Sequence, residues 1–224
     1  MALQSPIELK YEEAVHLAGF LRNLTRWNPS ATVRIQTRGK VAGFWGRTPI
    51  DCLAFIAIPL ASEPAIAVDC VVMAGRMRDI LGDLSSVNET NRVRTYALPD
   101  DLGLLLEYAE LPPSSKWIPG EKITCGILNE SIEKVIAEYH EQISMFPKAD
   151  DKMRDFVANQ VWQGKVVSGI PLRCIHIARQ LGFLVHPNAQ ANFENVDGWK
   201  RLSTPGGQIY FDARPKKTKL RVVK

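Results

Sequence analysis

Thr32-Val33-Arg34-Ile35-Gln36-Thr37-Arg38-Gly39-Lys40-Val41-Ala42-Gly43-Phe44-Trp45 decides the fold class. Val33 and Ile35 alternate with Thr32, Arg34 and Gln36, the period of a strand with one face buried and one wet. Arg38-Gly39-Lys40 reads as a tight turn, and Val41–Trp45 as the returning strand. Cys52–Ile58 is apolar at almost every position, which predicts a third, central strand. Ser62-Glu63-Pro64 marks a turn and Ala65–Asp69 a fourth strand, followed by a short helix over Val71–Leu81. Gly82-Asp83, Asn88 and Asn91 mark a loop. Val93–Leu98 and Leu104–Tyr108 are further strand candidates around the Pro99-Asp100-Asp101 turn.

Ahead of this block, Tyr11–Trp27 reads as a helix with Val15, Ala18, Leu21 and Leu24 on its apolar face. Asn28-Pro29 ends it. Ser5-Pro6-Ile7-Glu8 has the form of a capping box, so an earlier helix start is expected. Leu111–Glu121 holds Pro112, Pro113, Pro119 and Gly120 and reads as a linker in which Trp117 packs down. Helical periodicity then dominates. Ser131–Met145 presents Ile132, Val135, Ile136, Tyr139 and Ile143. Lys152–Gln163 presents Met153, Phe156, Val157 and Val161. Pro171–Leu181 is a third helix stopped by Gly182. His186–Gly198 is polar and reads as loop. Trp199–Thr204 and Gln208–Asp212 form a β-hairpin around Pro205-Gly206-Gly207.

These elements predict an α+β chain: a helix and a mainly antiparallel sheet, then three helices and a hairpin. The expected organisation is an α+β sheet domain over 1–111, a Pro-rich linker over 112–121, a helical subdomain with its hairpin over 122–212, and a basic tail over 213–224. A length of 224 residues suits one large or two small domains, and 46% hydrophobic residues suffice for a core. No sequence repeat is present.

The longest apolar run, Cys52–Ala61, is interrupted by Pro59 and falls well short of the roughly 20 residues that cross a bilayer. The start, Met1-Ala2-Leu3-Gln4-Ser5, has no basic region followed by an apolar one. A cytoplasmic, non-membrane protein is expected, in which the sequons at Asn23, Asn88 and Asn129 carry no meaning. Cys52, Cys70, Cys125 and Cys174 never approach C-x-x-C spacing, so they read as buried small hydrophobes rather than zinc ligands. No metal and no cofactor is expected.

Catalytic motifs fail on inspection. Gly46-Arg47-Thr48 imitates the end of a phosphate-binding loop, but Arg47 replaces the lysine and Val41 the first glycine. His140-Glu141 lacks the second histidine of a zinc protease helix, since position 144 is Ser144. His16, His176 and His186 have no Ser, Cys or Asp partner at motif spacing. Glu12-Glu13, Asp100-Asp101 and Asp150-Asp151 suit helix starts and turns.

Charge is more informative. The net +4 hides two acid-free segments of +6, residues 14–50 and 213–224, against −8 in the remainder. Arg34 and Arg38 share the outer face of one strand, Lys40 follows in the turn, and Trp27, Phe44 and Trp45 lie nearby. Cations with aromatic side chains suit single-stranded nucleic acid. Three helices followed by a hairpin also match a winged helix. In that reading Pro171–Leu181 is the recognition helix, Arg173, His176, Arg179 and Gln180 approach DNA, and residues 199–212 are the wing. The candidate nucleic-acid contacts are therefore Arg34, Arg38, Lys40, Arg173, Arg179, Lys216, Lys217, Lys219 and Arg221. The alternatives are a protein–protein adaptor or homo-oligomer whose basic tail meets an acidic partner, and an enzyme or small-ligand binder whose site assembles in space.

Arg34–Phe44, Val161-Trp162, Gly169–Leu172, Leu181-Gly182-Phe183 and the Trp199–Ile209 hairpin together resemble conserved proteins of unassigned function from high-GC Gram-positive bacteria. The resemblance implies no activity and assigns no functional residue.

Overall fold

In the computed structural model, which describes residues 5–50, 52–82 and 92–214, strand β2 (Thr32–Arg38) and strand β3 (Val41–Arg47) form the hairpin that their alternation predicts. Gly39 takes the left-handed conformation at its turn (φ 58°), which suits glycine. Val33, Ile35, Ala42 and Phe44 are buried on one side, and Arg34, Gln36 and Trp45 lie on the other. Strand β4 (Cys52–Pro59) continues the meander with Ala54, Ile56 and Ile58 buried on the same side as Val33.

The N-terminal expectation is corrected. Residues 7–10 form strand β1 (Ile7–Lys10) with Ile7 and Leu9 fully buried, and Ser5 accepts a bond from the Ile66 amide instead of capping a helix. Helix α1 (Tyr11–Trp27) starts directly after it. Its buried stripe is Ala14, Leu17, Phe20, Leu21 and Leu24, while Val15 faces outward. A Cβ at Gly46 would sit 2.5 Å from Leu24 Cδ1, so α1 lies on the sheet only because position 46 has no side chain.

The fourth strand is β5 (Asp69–Met73), not 65–69, because Cys70, Val71 and Val72 are the residues that find cover. Helix α2 (Ala74–Leu81) follows at once, and strand β6 (Val93–Tyr96) pairs with β1. Residues 104–108 are not a strand. Leu106–Tyr108 is a single 3-10 turn within a strap, residues 98–110, that runs over the sheet. The loop markers Asp83, Asn88 and Asn91 lie outside the described residues.

In the second half the expected helices are present as α3 (Cys125–Ser144), α4 (Asp151–Trp162) and α5 (Leu172–Gln180). Asp150 caps α4 by accepting from the Met153 amide at 2.8 Å. Only Val157 and Val161 of α4 are buried, and Met153 and Phe156 remain exposed. The two-residue strands β8 (Val166–Val167) and β9 (Ile170–Pro171) join α4 to α5. Two further expectations change. Residues 118–121 of the predicted linker belong to strand β7 (Ile118–Thr124), where Pro119 is tolerated on a sheet edge. The polar stretch 186–198 contains strand β10 (Gln190–Val196), whose Ala191, Phe193 and Val196 are buried. A register shift between Asn192 and Glu194 breaks its alternation, which conceals the strand in the sequence.

Strands β11 (Trp199–Thr204) and β12 (Gly207–Asp212) form the expected hairpin, but it is no wing. Strand β12 pairs with β4, and the hairpin lies inside one antiparallel eight-stranded sheet of order β5-β2-β3-β4-β12-β11-β10-β7. Each side of the β4–β12 seam is a three-stranded meander with one added outer strand. The two halves therefore match in topology where the sequence shows no repeat. The α+β class stands, with α1, α2, α3 and α5 contributing to a single core on one face of this sheet.

The opposite face carries a smaller core of Leu53, Val71, Tyr108, Val196, Trp199 and Tyr210 beneath the strap. Among the described residues no helix is long and apolar enough to cross a membrane.

Candidate nucleic-acid interface

The predicted cations separate once the chain folds. Arg34 projects from β2 onto the strap side and is only 15% exposed. Its guanidinium makes two 2.8 Å bonds to Asp69 and one of 3.0 Å to the Tyr108 carbonyl. The Arg34 hydrogen bond holds the Asp69 carboxyl below the usual range, against the opposing effect of burial. Arg47 donates twice to the Glu107 carbonyl, at 2.6 and 2.8 Å. These two arginines fasten the 3-10 turn to the sheet, so Arg34 is corrected from a nucleic-acid contact to a tie.

Arg38 and Lys40 stand exposed at the tip of the β2–β3 hairpin. Arg173 is exposed at the start of α5 and has no ion pair among the described residues. Arg179 is paired with Glu133 of α3. Lys216, Lys217, Lys219 and Arg221 lie outside the described residues.

The winged-helix reading is overturned by packing. Leu172, Cys174, Ile175, Ile177 and Ala178 bury α5 against the core, and its supposed wing is central sheet. His176 stacks on Trp162 at 5.2 Å and meets Gln180 at 2.9 Å; burial, then Arg179, lowers its pKa. The aromatic group near the basic strand is divided as well. Phe44 is buried in the helix-side core with Trp27 packed against it, and Trp45 lies on the other face 4.4 Å from Phe55 and 5.2 Å from Tyr210. The three cannot stack bases together.

What folding does bring together is a set of arginines on the helix layer. Arg22 and Arg26, one turn apart on α1, are exposed, and Arg76 and Arg78 are exposed on the neighbouring α2. The pair is keyed by Arg78 donating to Thr25 Oγ1 at 3.2 Å, while Thr25 donates to the Leu21 carbonyl. Arg78 also pairs with Asp79. Arg22, Arg26 and Arg76 have no ion pair among the described residues. Arg22 and Arg26 belong to the acid-free segment 14–50. Arg76 and Arg78 carry no sequence signal, because only the packing of α2 on α1 sets them beside it.

Burial, with help from Asp101 and Asp69, pushes the Cys70 thiol to about 12, so it stays protonated at neutral pH. Among the described residues no group of three or more His, Cys, Asp or Glu side chains could hold a metal ion.

Residues 7–97 match the family described as Domain of unknown function (DUF8010), and residues 112–216 match Domain of unknown function (DUF8185). No curated protein matches the sequence. Solved structures similar to this one include DNA polymerase sliding clamps. That of Pseudomonas aeruginosa superposes with a TM-score of 0.55 at 12% identity, over 96% of this chain and 66% of the clamp. The clamp of Helicobacter pylori gives 0.55 at 8% identity over 96% and 64%, and the DNA polymerase III β subunit of Thermotoga maritima 0.51 at 13% over 99% and 68%. The chain thus spans just under two thirds of the first of these clamps. At such low identity the likeness concerns architecture alone: the chain has the fold of the sliding clamps.

Proposed function

We propose that this chain is a non-catalytic, clamp-like scaffold of the cytoplasm that contacts duplex nucleic acid through the α1–α2 surface. The observation that carries the reading is the placement of Arg22, Arg26, Arg76 and Arg78 on the exposed faces of adjacent helices, three of them without an ion pair among the described residues. Unpaired guanidinium groups are free to replace the counterions that condense on phosphates. The fold shared with sliding clamps of DNA polymerase supports the same reading.

Fluorescence anisotropy with a short labelled duplex, titrated at several salt concentrations, tests it. Four phosphate contacts correspond to a log–log salt slope near about −3.6. Replacing Arg22, Arg26 and Arg76 together with Ala is expected to flatten the slope by about 2.7 on the same relation. An affinity and slope unchanged by the triple substitution would refute the assignment. An equal loss on removing residues 215–224 alone would move the contact to the tail.

A further inference from the structure

The turn between α3 and α4 gathers large apolar side chains that the body of the protein does not cover. Met145, Phe146, Met153 and Phe156 are 67%, 45%, 37% and 60% exposed. Met153 and Phe156 lie one turn apart on α4 and share a face. Residues 145–150 and Met153 line a shallow depression of about 620 Å³, whose charged members are Lys148 and Asp150. Helix α4 packs chiefly on α3 and buries only Val157 and Val161. A helix this short draws its stability from packing, so one held by two buried side chains gains from a second covered face. Two phenylalanines and two methionines together form a patch of the kind that association covers.

We propose that the cover is a second copy of this chain, joined through an antiparallel α4–α4 contact about a two-fold axis. Charge is the first reason. Residues 145–156 carry Lys148, Lys152 and Arg154 against Asp150, Asp151 and Asp155, a net charge of zero. A neutral segment has no bulk attraction for phosphates, for an anionic lipid surface or for a strongly charged peptide. Its charges do suit a copy of itself. Asp150 and Arg154 are committed locally, to the Met153 amide and the Ala149 carbonyl. Lys152 and Asp155 form no ion pair among the described residues. An axis between Met153 and Phe156 sets Met153 in one copy against Phe156 in the other. It also brings Lys152 in each copy toward Asp155 in the other, so that symmetry makes the pair twice.

Area is the second reason. The four exposures together equal about two whole side chains, or about 400 Å² of apolar surface at about 200 Å² each. A two-fold contact doubles this to about 800 Å². A standard interface buries about 1,600 Å² in total, with a polar rim around an apolar centre. The patch thus supplies the centre of such an interface, and the flanking lysines and aspartates supply its rim. The inference does not rest on the α1–α2 arginines.

Sedimentation of the full chain from about 1 to about 200 µM tests the contact, since association depends on concentration. The expected result is a species of twice the monomer mass that grows with concentration. Phe156→Asp changes an exposed position and is expected to weaken this dimer at least about tenfold, with the far-UV circular dichroism unchanged. Lys152→Asp is expected to weaken it at least about threefold, and adding Asp155→Lys to restore it, because the exchanged charges again face each other. A chain that stays monomeric throughout would overturn the proposal. If that monomer instead bound neutral lipid vesicles and Phe156→Asp abolished the binding, the patch would belong to a membrane. A dimer left intact by Phe156→Asp would refute the assignment to α4. A charge exchange that failed to restore the dimer would refute the antiparallel arrangement.

Discussion

The two faces of the eight-stranded sheet use arginine for opposite purposes. On the helix side Arg22, Arg26 and Arg76 protrude from α1 and α2 without ion pairs among the described residues. On the strap side Arg34 and Arg47 are spent on Asp69 and on the carbonyls of Glu107 and Tyr108. Arg22 and Arg34 come from the same acid-free segment, twelve residues apart. What separates them is the neighbour that each face supplies. A packed helix already satisfies its own backbone and needs nothing from an outward arginine. An irregular strap leaves carbonyls to satisfy, and guanidinium groups serve them.

This contrast can be probed from both sides. The largest effect is expected at Tyr108, the fully buried anchor of the strap, whose hydroxyl donates to the Thr32 carbonyl at 2.7 Å. Tyr108→Ala should cost about 3–5 kcal/mol in urea unfolding, as large aromatic truncations do. Tyr108→Phe, which removes that bond and the longer one the hydroxyl accepts from Thr32 Oγ1 at 3.4 Å, should cost about 1 kcal/mol. If Tyr108→Ala proved neutral, the strap face would not be a second core.

On the helix side the matching test is Ile35→Ala, fully buried in the larger core, with an expected loss of about 2–5 kcal/mol. Its comparison with Tyr108→Ala ranks the two cores. Arg34→Ala should have a smaller effect, about 1–2 kcal/mol, because Asp69 is 53% exposed and water screens the pair. Its pH dependence has a definite sign. The Asp69 pKa is lowered in the folded state, so the contribution is fully present above the unfolded aspartate value near about 4. It fades as pH falls through the lower folded value. The stability gap between the parent and Arg34→Ala should therefore narrow in acid, and a gap constant down to pH 2 would contradict the ion pair.

The smallest expected change in stability belongs to Arg22→Ala with Arg26→Ala, within about 0.5 kcal/mol. The same double substitution should weaken duplex binding. That combination, neutral for folding and costly for binding, is what distinguishes an interface arginine from a tie.

The sequence was informative where periodicity and composition act locally. The alternation of Val33 and Ile35, the turn at Gly39 and the apolar run of β4 each specify a strand without reference to the rest of the chain. The hairpin over 199–212 was legible for the same reason. Strand β10 was not, since its polar residues and the register shift at Asn192–Glu194 conceal Phe193 and Val196. Strand β7 was hidden by Pro119 and Gly120, which mark linkers in sequence but are tolerated on an exposed edge. At the candidate interface Arg22 and Arg26 were included in the basic segment, whereas Arg76 and Arg78 were invisible because two arginines on an eight-residue helix are unremarkable alone.

The sequence alone therefore determined the α+β class, the first meander, the principal helices and the existence of two acid-free segments. These follow from side-chain period and charge, which are properties of neighbours along the chain. Tertiary structure decided that the hairpin over 199–212 is central sheet and not a wing, and that Arg34 is a tie while Arg22 stands exposed on α1. Those outcomes depend on which carbonyls and carboxylates lie across the fold, from residues 69 to 110 on one side and 74 to 81 on the other, and sequence distance does not encode such contacts.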